Sequence, residues 1–191
     1  MTTQTPQQLT RDTIEIPYRH VTTHFIDGAW GQSQGQDTIE VTDPATNTVW
    51  GSVPVGNKDD VNAAVEAAHA AFTTGPWSKT TTPERAEIML RIADEIEARA
   101  TELSLTHTLE NGSPVAETSG AAANAASIFR YFATLAPELE ADDVHPFPNG
   151  QGESLVRKDP IGVCALIAPW NFPINLMVTK LAQPCWPGAP S

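Results

Sequence analysis

From Phe25 onward the apolar positions follow two different periods, and the change between them divides the chain. In Phe25-Ile26-Asp27-Gly28-Ala29-Trp30 an Asp-Gly pair separates two short apolar runs, which predicts a tight β-hairpin. Thr38–Val41 and Val49–Val55 predict two more short strands, and Asp43-Pro44-Ala45-Thr46-Asn47 between them is turn chemistry. At Asp59-Asp60 the period lengthens. Val61, Ala64, Val65, Ala68 and Phe72 recur at helical spacing, with two acids favourably placed in the first turn and Gly75-Pro76 as the stop. A second helix is expected with Thr82 as N-cap, Pro83 at its first position and Arg85 two residues on. Its apolar stripe runs through Ile88, Leu90 to Ile92, Ile96, Leu103, Leu105 and Leu109. An alanine-rich third helix is expected from about Val115 to Leu135, its small residues allowing close helix approach.

Pro137 to Gly152 breaks the helical pattern with acids and prolines, and Glu153–Lys158 reads as a strand. Ile161 to Ala168 is a nearly unbroken apolar run, the pattern of a strand buried on both faces of a parallel sheet. Pro169-Trp170-Asn171-Phe172-Pro173 then makes a turn, and Ile174 to Leu181 reads as helix. Residues 1–20 lack sustained periodicity and read as a loose leader.

Composition narrows the classes of function. Of the 191 residues, 40% are hydrophobic and 18% charged, the profile of a globular chain. A net charge of −12 would repel a phosphate backbone, so nucleic acid is excluded as a partner, and no basic face is available for an anionic membrane. The absence of a long apolar run or a secretory signal leads to the expectation of a cytoplasmic location. The two cysteines, Cys164 and Cys185, have neither disulfide nor metal spacing, and no metal site is expected. Cys164 is expected to be inert within its apolar strand, and Cys185 lies among prolines. His20 and His24 are four apart, but Pro17 and the strand at Phe25 argue against the helix that would make them a metal pair, so the histidines are expected on the solvated surface.

The candidate chemistry lies where the buried strand turns into the last helix, the end at which α/β sheets place ligands. There Asn171 is the group able to offer two amide hydrogens, while Trp170 and Pro169 could form a flat apolar wall. The plainer alternative is a turn in which Asn171 caps the helix and Trp170 packs in the core.

These segments, in order and spacing, resemble the aldehyde dehydrogenase family: the Phe25–Trp30 hairpin, Asp43-Pro44-Ala45-Thr46, Arg85 in its helix, Asp159-Pro160-Ile161-Gly162-Val163, and most specifically Pro169-Trp170-Asn171-Phe172-Pro173. The likeness runs from about residue 24 to about residue 182. It implies an α/β fold holding an incomplete N-terminal half of a Rossmann-like cofactor domain (residues 21–137 and 160–182). Residues 138–159 would be a strand segment of the oligomerisation arm. It also implies oxidation of a small-molecule aldehyde to its acid with NAD or NADP. In that chemistry a cysteine thiolate attacks the aldehyde, a glutamate activates water against the thioester, and an asparagine amide holds the oxyanion. Asn171 matches that asparagine, and Ile167, Ala168, Pro169 and Trp170 match the stretch lining the cofactor cleft. Lys180 matches a frequent basic position to which no role is carried over.

The family's nucleophilic cysteine, base glutamate and Gly-rich pyrophosphate turn have no match here. The expectation is therefore an N-terminal fragment of a homo-oligomeric parent, inactive alone, without tight cofactor binding, and at most able to bind a partner subunit. Residues 183–191 depart from the family's run of Leu-Ala-Pro-Ala-Leu-Leu-Ala-Gly-Cys-Thr-Val, and their prolines cannot continue a helix. Pro184-Cys185-Trp186-Pro187 requires the bases CCN TGY TGG CCN, which in a shifted frame contain YTG GCC, Leu-Ala whatever the synonymous codons. The expectation is that this tail arises from a one-base deletion near the codon of Gln183, followed by a premature stop.

Overall fold

The computed structural model describes residues 22–140, 143–156, 159–183 and 185. His20, the leader and most of the tail lie outside them. The hairpin is β1 (Thr23–Ile26) and β2 (Ala29–Gln32), antiparallel with Phe25 opposite Trp30. Asp27 and Gly28 both take positive φ, 53° and 75°, the backbone that a two-residue turn matched to strand twist demands. The Phe25 and Trp30 rings lie 5.2 Å apart and lock the pairing.

A second antiparallel pair, β3 (Thr38–Asp43) and β4 (Thr48–Pro54), carries a bulge between Val41 and Thr42. The buried Asp43 holds its turn from within. Its carboxylate accepts from the Ala45 N–H at 2.8 Å and from the Thr46 hydroxyl at 3.1 Å.

Helix α1 (Lys58–Thr73) starts at Asn57, which forms a reciprocal capping box with Asp60. Asp60 also ties the helix to the strands, because its buried carboxylate accepts from the Gln34 N–H and the Ser33 hydroxyl, each at 2.8 Å. The N–H groups of Gln34 and Asn57, the Ser33 hydroxyl and nearby His24 together lower the Asp60 pKa to about 2. The sign follows from that direction. With an unfolded value of about 3.9, Asp60 contributes stability that is complete above that value and is lost as pH falls through about 2. Asp60→Asn is therefore expected to lower the melting temperature fully at pH 6, with the deficit against the parent shrinking between about pH 4 and pH 2. A deficit independent of pH would show that the charge is not what matters.

Helix α2 (Thr82–Ala98) corrects the expected start by one residue. The cap is Thr81, since Glu84 stands three positions on and accepts from the Thr81 N–H at 2.7 Å. The long second helix divides at Arg99 into α2 and α3 (Ala100–Asn111). The expected third helix divides at Ser119-Gly120 into α4 (Val115–Thr118) and α5 (Ala121–Thr134). A short α6 (Ala136–Glu140) follows, in a stretch whose prolines and acids argued against helix.

Strands β5 (Asp143–Pro146) and β6 (Glu153–Val156) form a third hairpin, and helix α7 (Pro173–Ala182) ends the described fold. The core lies between α2, α5 and α7. Met89 and Ala93 meet Ala125, Ala126, Phe129 and Ala133, with Val178 and Ala182 closing the other side. Alanines on these faces let the helices approach, and Phe129 fills the space between them. Arg130 clamps the outer edge by bidentate bonds to Glu97 and a 2.8 Å bond to Asp94.

Two apolar expectations are corrected. Ile161–Ala168 forms no strand ladder among the described residues; exposed and half-buried positions alternate along it, and Ile161 is 90% exposed. A ladder needs a neighbouring strand at its edge and burial needs elements packed over each face, and the described strands pair only among themselves in three hairpins. Val61 and Val65 of α1 are likewise about half exposed, because nothing among the described residues covers that face.

Candidate functional site

The turn at residues 169–172 is placed by contacts on either side of it. Before it, Gly162 takes φ of +94°, and the Phe72 ring packs against this glycine, 3.7 Å from where a Cβ would stand. After it, Pro173 occupies the first position of α7, where its missing N–H costs nothing. The Leu176 N–H bonds the Phe172 carbonyl at 3.0 Å. Phe172, not Asn171, is therefore the N-cap, and no side chain caps the helix. This removes the plainer account of Asn171 as a helix cap. Its exposed side-chain amide makes no hydrogen bond among the described residues, leaving both N–H donors available to a ligand.

Trp170 is no core residue either. It is 81% exposed, as is Ile167, while Ala168 is half-buried and Pro169 exposed. Ile167, Pro169, Trp170 and Asn171 thus lie together on one accessible stretch. From Ile161 to Thr179 no side chain carries a charge.

The cysteines lie apart from this turn in character. Cys164 is half-buried, its thiol 3.7 Å from the Gly162 carbonyl. Cys185 packs beside the core and points its sulfur at the Leu181 carbonyl, 3.2 Å away. Burial pushes the Cys185 thiol up more strongly than the Arg85 charge draws it down, which disfavours a nucleophilic thiolate.

Arg85 is itself buried. It donates to the Thr80 hydroxyl at 2.7 Å and the Trp77 carbonyl at 2.9 Å, and its guanidinium lies 4.8 Å from the Trp77 ring centre. It ties the loop before α2 to the helix.

His69 and His145 lie on the expected surface, whereas His107 and His24 do not. Among the described residues neither ring nitrogen of the buried His107 has a hydrogen-bond partner, and burial pushes its pKa down, which favours the neutral ring. His24 is half-buried, 3.8 Å from Asp60. No group of three His, Cys, Asp or Glu side chains among the described residues could hold a metal.

Sequence reasoning missed Asn111, the last residue of α3. Its side-chain amide donates to the Trp170 carbonyl at 3.0 Å, and its Oδ1 accepts from the Ser113 hydroxyl at 2.6 Å. The Asn111-Gly112 pair marks a helix end in the sequence, but nothing local points to a partner 59 residues away.

The Aldehyde dehydrogenase family pattern matches residues 30–189, which include every element from β3 to α7 and the Pro-Trp-Asn-Phe-Pro turn. The chain belongs to the aldehyde dehydrogenase family. Aminoaldehyde dehydrogenase 2 of Zea mays is 38% identical over 163 residues, 83% of this chain and 32% of that protein. Geranial dehydrogenase of Castellaniella defragrans is 34% identical, over 88% of this chain and 35% of its own length.

Among solved structures, betaine aldehyde dehydrogenase from Staphylococcus aureus in complex with NAD+ is similar with a TM-score of 0.79 at 30% identity, covering 87% of this chain and 33% of that one. An NAD-dependent aldehyde dehydrogenase from Sinorhizobium meliloti gives 0.76 at 35% identity, with 84% and 32% covered. The aldehyde dehydrogenase relatives are thus about three times as long as the matched region. The fold is mixed α/β and corresponds to the N-terminal, Rossmann-like region of the family. No helix among the described residues is long and apolar enough to cross a membrane.

Proposed function

We propose that this chain contributes the oxyanion-holding amide, Asn171, and one wall of the cofactor cleft, Ile167 to Trp170, to an NAD(P)-dependent aldehyde dehydrogenase. The nucleophilic cysteine and base glutamate of that enzyme would lie in sequence outside these residues. The observation that carries the reading is the state of Asn171: exposed, without a hydrogen bond among the described residues, and held on a turn rather than spent on a helix cap. A neutral amide fixed in this way stabilises negative charge developing on a carbonyl oxygen, and such a donor contributes about 2.7–4 kcal/mol to the barrier reduction.

The residues fit a dinucleotide in two respects. Ile167 and Trp170 present accessible apolar surface for a flat ring, and the stretch from Ile161 to Thr179 carries no acidic side chain that would repel an anionic cofactor, despite the net charge of −12. The bound cofactor would supply the hydride acceptor. This chain's residues would give it a wall, exclude water on that side and orient the aldehyde oxygen at Asn171.

We assign residues 21–137 and 160–182 to the cofactor domain and 138–159 to the oligomerisation arm, whose hairpin leaves Val144, Leu155 and Val156 exposed for a partner subunit. The tail from Gln183 is assigned to a one-base deletion, and the coding DNA read in all three frames decides that point.

The 191-residue chain alone is expected to show no NAD(P)-dependent oxidation of any of several aldehydes, followed by NAD(P)H absorbance. Turnover above a no-protein control that vanishes on Cys164→Ala or Cys185→Ala would place a working nucleophile within the chain and overturn the assignment.

A further inference from the structure

We infer that Asn111 is a positioning residue that fixes the Trp170–Asn171 peptide through its hydrogen bond to the Trp170 carbonyl, and so aims the Asn171 amide. The functional consequence rests on the reading of Asn171 as an oxyanion donor; the anchoring does not. Among the described residues no backbone hydrogen bond joins residues 161–171 to another element, so the turn lacks the ladder that holds a sheet strand in place. The Asn111 side chain supplies the long-range hydrogen bond of that stretch.

The orientation of the Asn111 amide is determined by chemistry. A backbone carbonyl only accepts, so the atom facing Trp170 is the NH2 group, and Oδ1 is left to accept from Ser113. The anchor is itself braced. Asn111 ends α3, and the next residue, Gly112, takes φ of +79° with its N–H bonded to the Thr108 carbonyl. A Cβ at Gly112 would stand 2.7 Å from Pro44 Cγ, so the helix end sits directly on the Asp43-Pro44 turn. Asp43 holds that turn rigid through Ala45 and Thr46. The family's Asp-Pro-Ala-Thr and Pro-Trp-Asn-Phe-Pro segments, more than a hundred residues apart, are thereby joined through Asn111-Gly112.

The test uses the full 191-residue chain labelled with 5-fluorotryptophan, with the Trp170 ¹⁹F resonance assigned by Trp170→Phe. Asn111→Ala, which lacks the donor, and Asn111→Asp, which keeps the shape and repels the carbonyl, should each shift and broaden the Trp170 line and leave the Trp30, Trp50 and Trp77 lines in place. An unmoved Trp170 line in both variants overturns the proposal, and so does a common shift of all lines, which would mark general loosening. In a longer, active protein carrying this sequence, Asn111→Ala should lower kcat by up to about 10²-fold, with a smaller effect on KM for the cofactor. Asn171→Ala that leaves kcat intact, with Trp170 still shifted by Asn111→Ala, would sink the oxyanion reading and leave the anchor standing.

Discussion

In a full-length enzyme carrying this sequence, Asn171→Ala should reduce kcat by roughly 10²–10³, the usual effect of removing one oxyanion donor, while the melting temperature stays nearly unchanged. Both halves of that expectation follow from the same observation. The side chain makes no hydrogen bond among the described residues and caps no helix, so its loss leaves no buried partner unsatisfied. Exposed substitutions of this kind stay within about ±0.5 kcal/mol. Asn171→Asp should be worse than alanine in kcat, because a carboxylate puts negative charge where the oxyanion forms. A capping or purely structural role predicts the reverse order, with Asp tolerated and Ala melting early. Steady-state kinetics and thermal melts on the two variants therefore separate the accounts, and an active Asn171→Asp enzyme would end the catalytic one.

What could be read from the chain follows the range of the interactions concerned. The Phe25–Trp30 hairpin was legible because an Asp-Gly pair adopts its turn from local backbone preference alone. The Asp43 turn and the acid-rich start of α1 were legible for the same reason, and the Thr81 cap was missed by one residue because two adjacent threonines offer the same chemistry. Helix divisions at Arg99 and Ser119-Gly120 were harder. The apolar spacing continues across both, and only packing shows where the axis turns.

The Ile161–Ala168 run has the apolar pattern of a strand buried on both faces of a parallel sheet, but a ladder is a property of several strands together. At the candidate site, the uncommitted amide of Asn171 could be suspected from composition. Its freedom from capping could not, nor could the bond from Asn111, which depends on a contact made only once α3 and the turn are folded side by side. His107 was misjudged for a related reason: burial of a polar ring is decided by what packs over α3, and no local pattern announces it.

Phe129→Ala should cost about 3–5 kcal/mol, the range for removing a buried aromatic side chain. Phe129 is fully buried where α2, α5 and α7 meet, in a cluster whose other fully or nearly buried members are Met89, Val178 and five alanines. Alanine side chains have no rotamers with which to fill a void, so the cavity would persist rather than collapse, which puts the loss toward the upper end. Domains are stable by only about 5–15 kcal/mol in total, so the variant should be close to unfolding at room temperature. Asn124→Ala on the exposed face of the same helix is the control and should stay within about ±0.5 kcal/mol. Urea midpoints of the two variants report the difference. Equal losses at both positions would mean that α5 does not bury the face assigned to it. The consequence reaches the site, because α7 begins two residues after Asn171 and is held to the core through Val178 and Ala182. A core that loosens at Phe129 releases the helix that carries the turn, and the Asn171 amide loses its direction along with the fold.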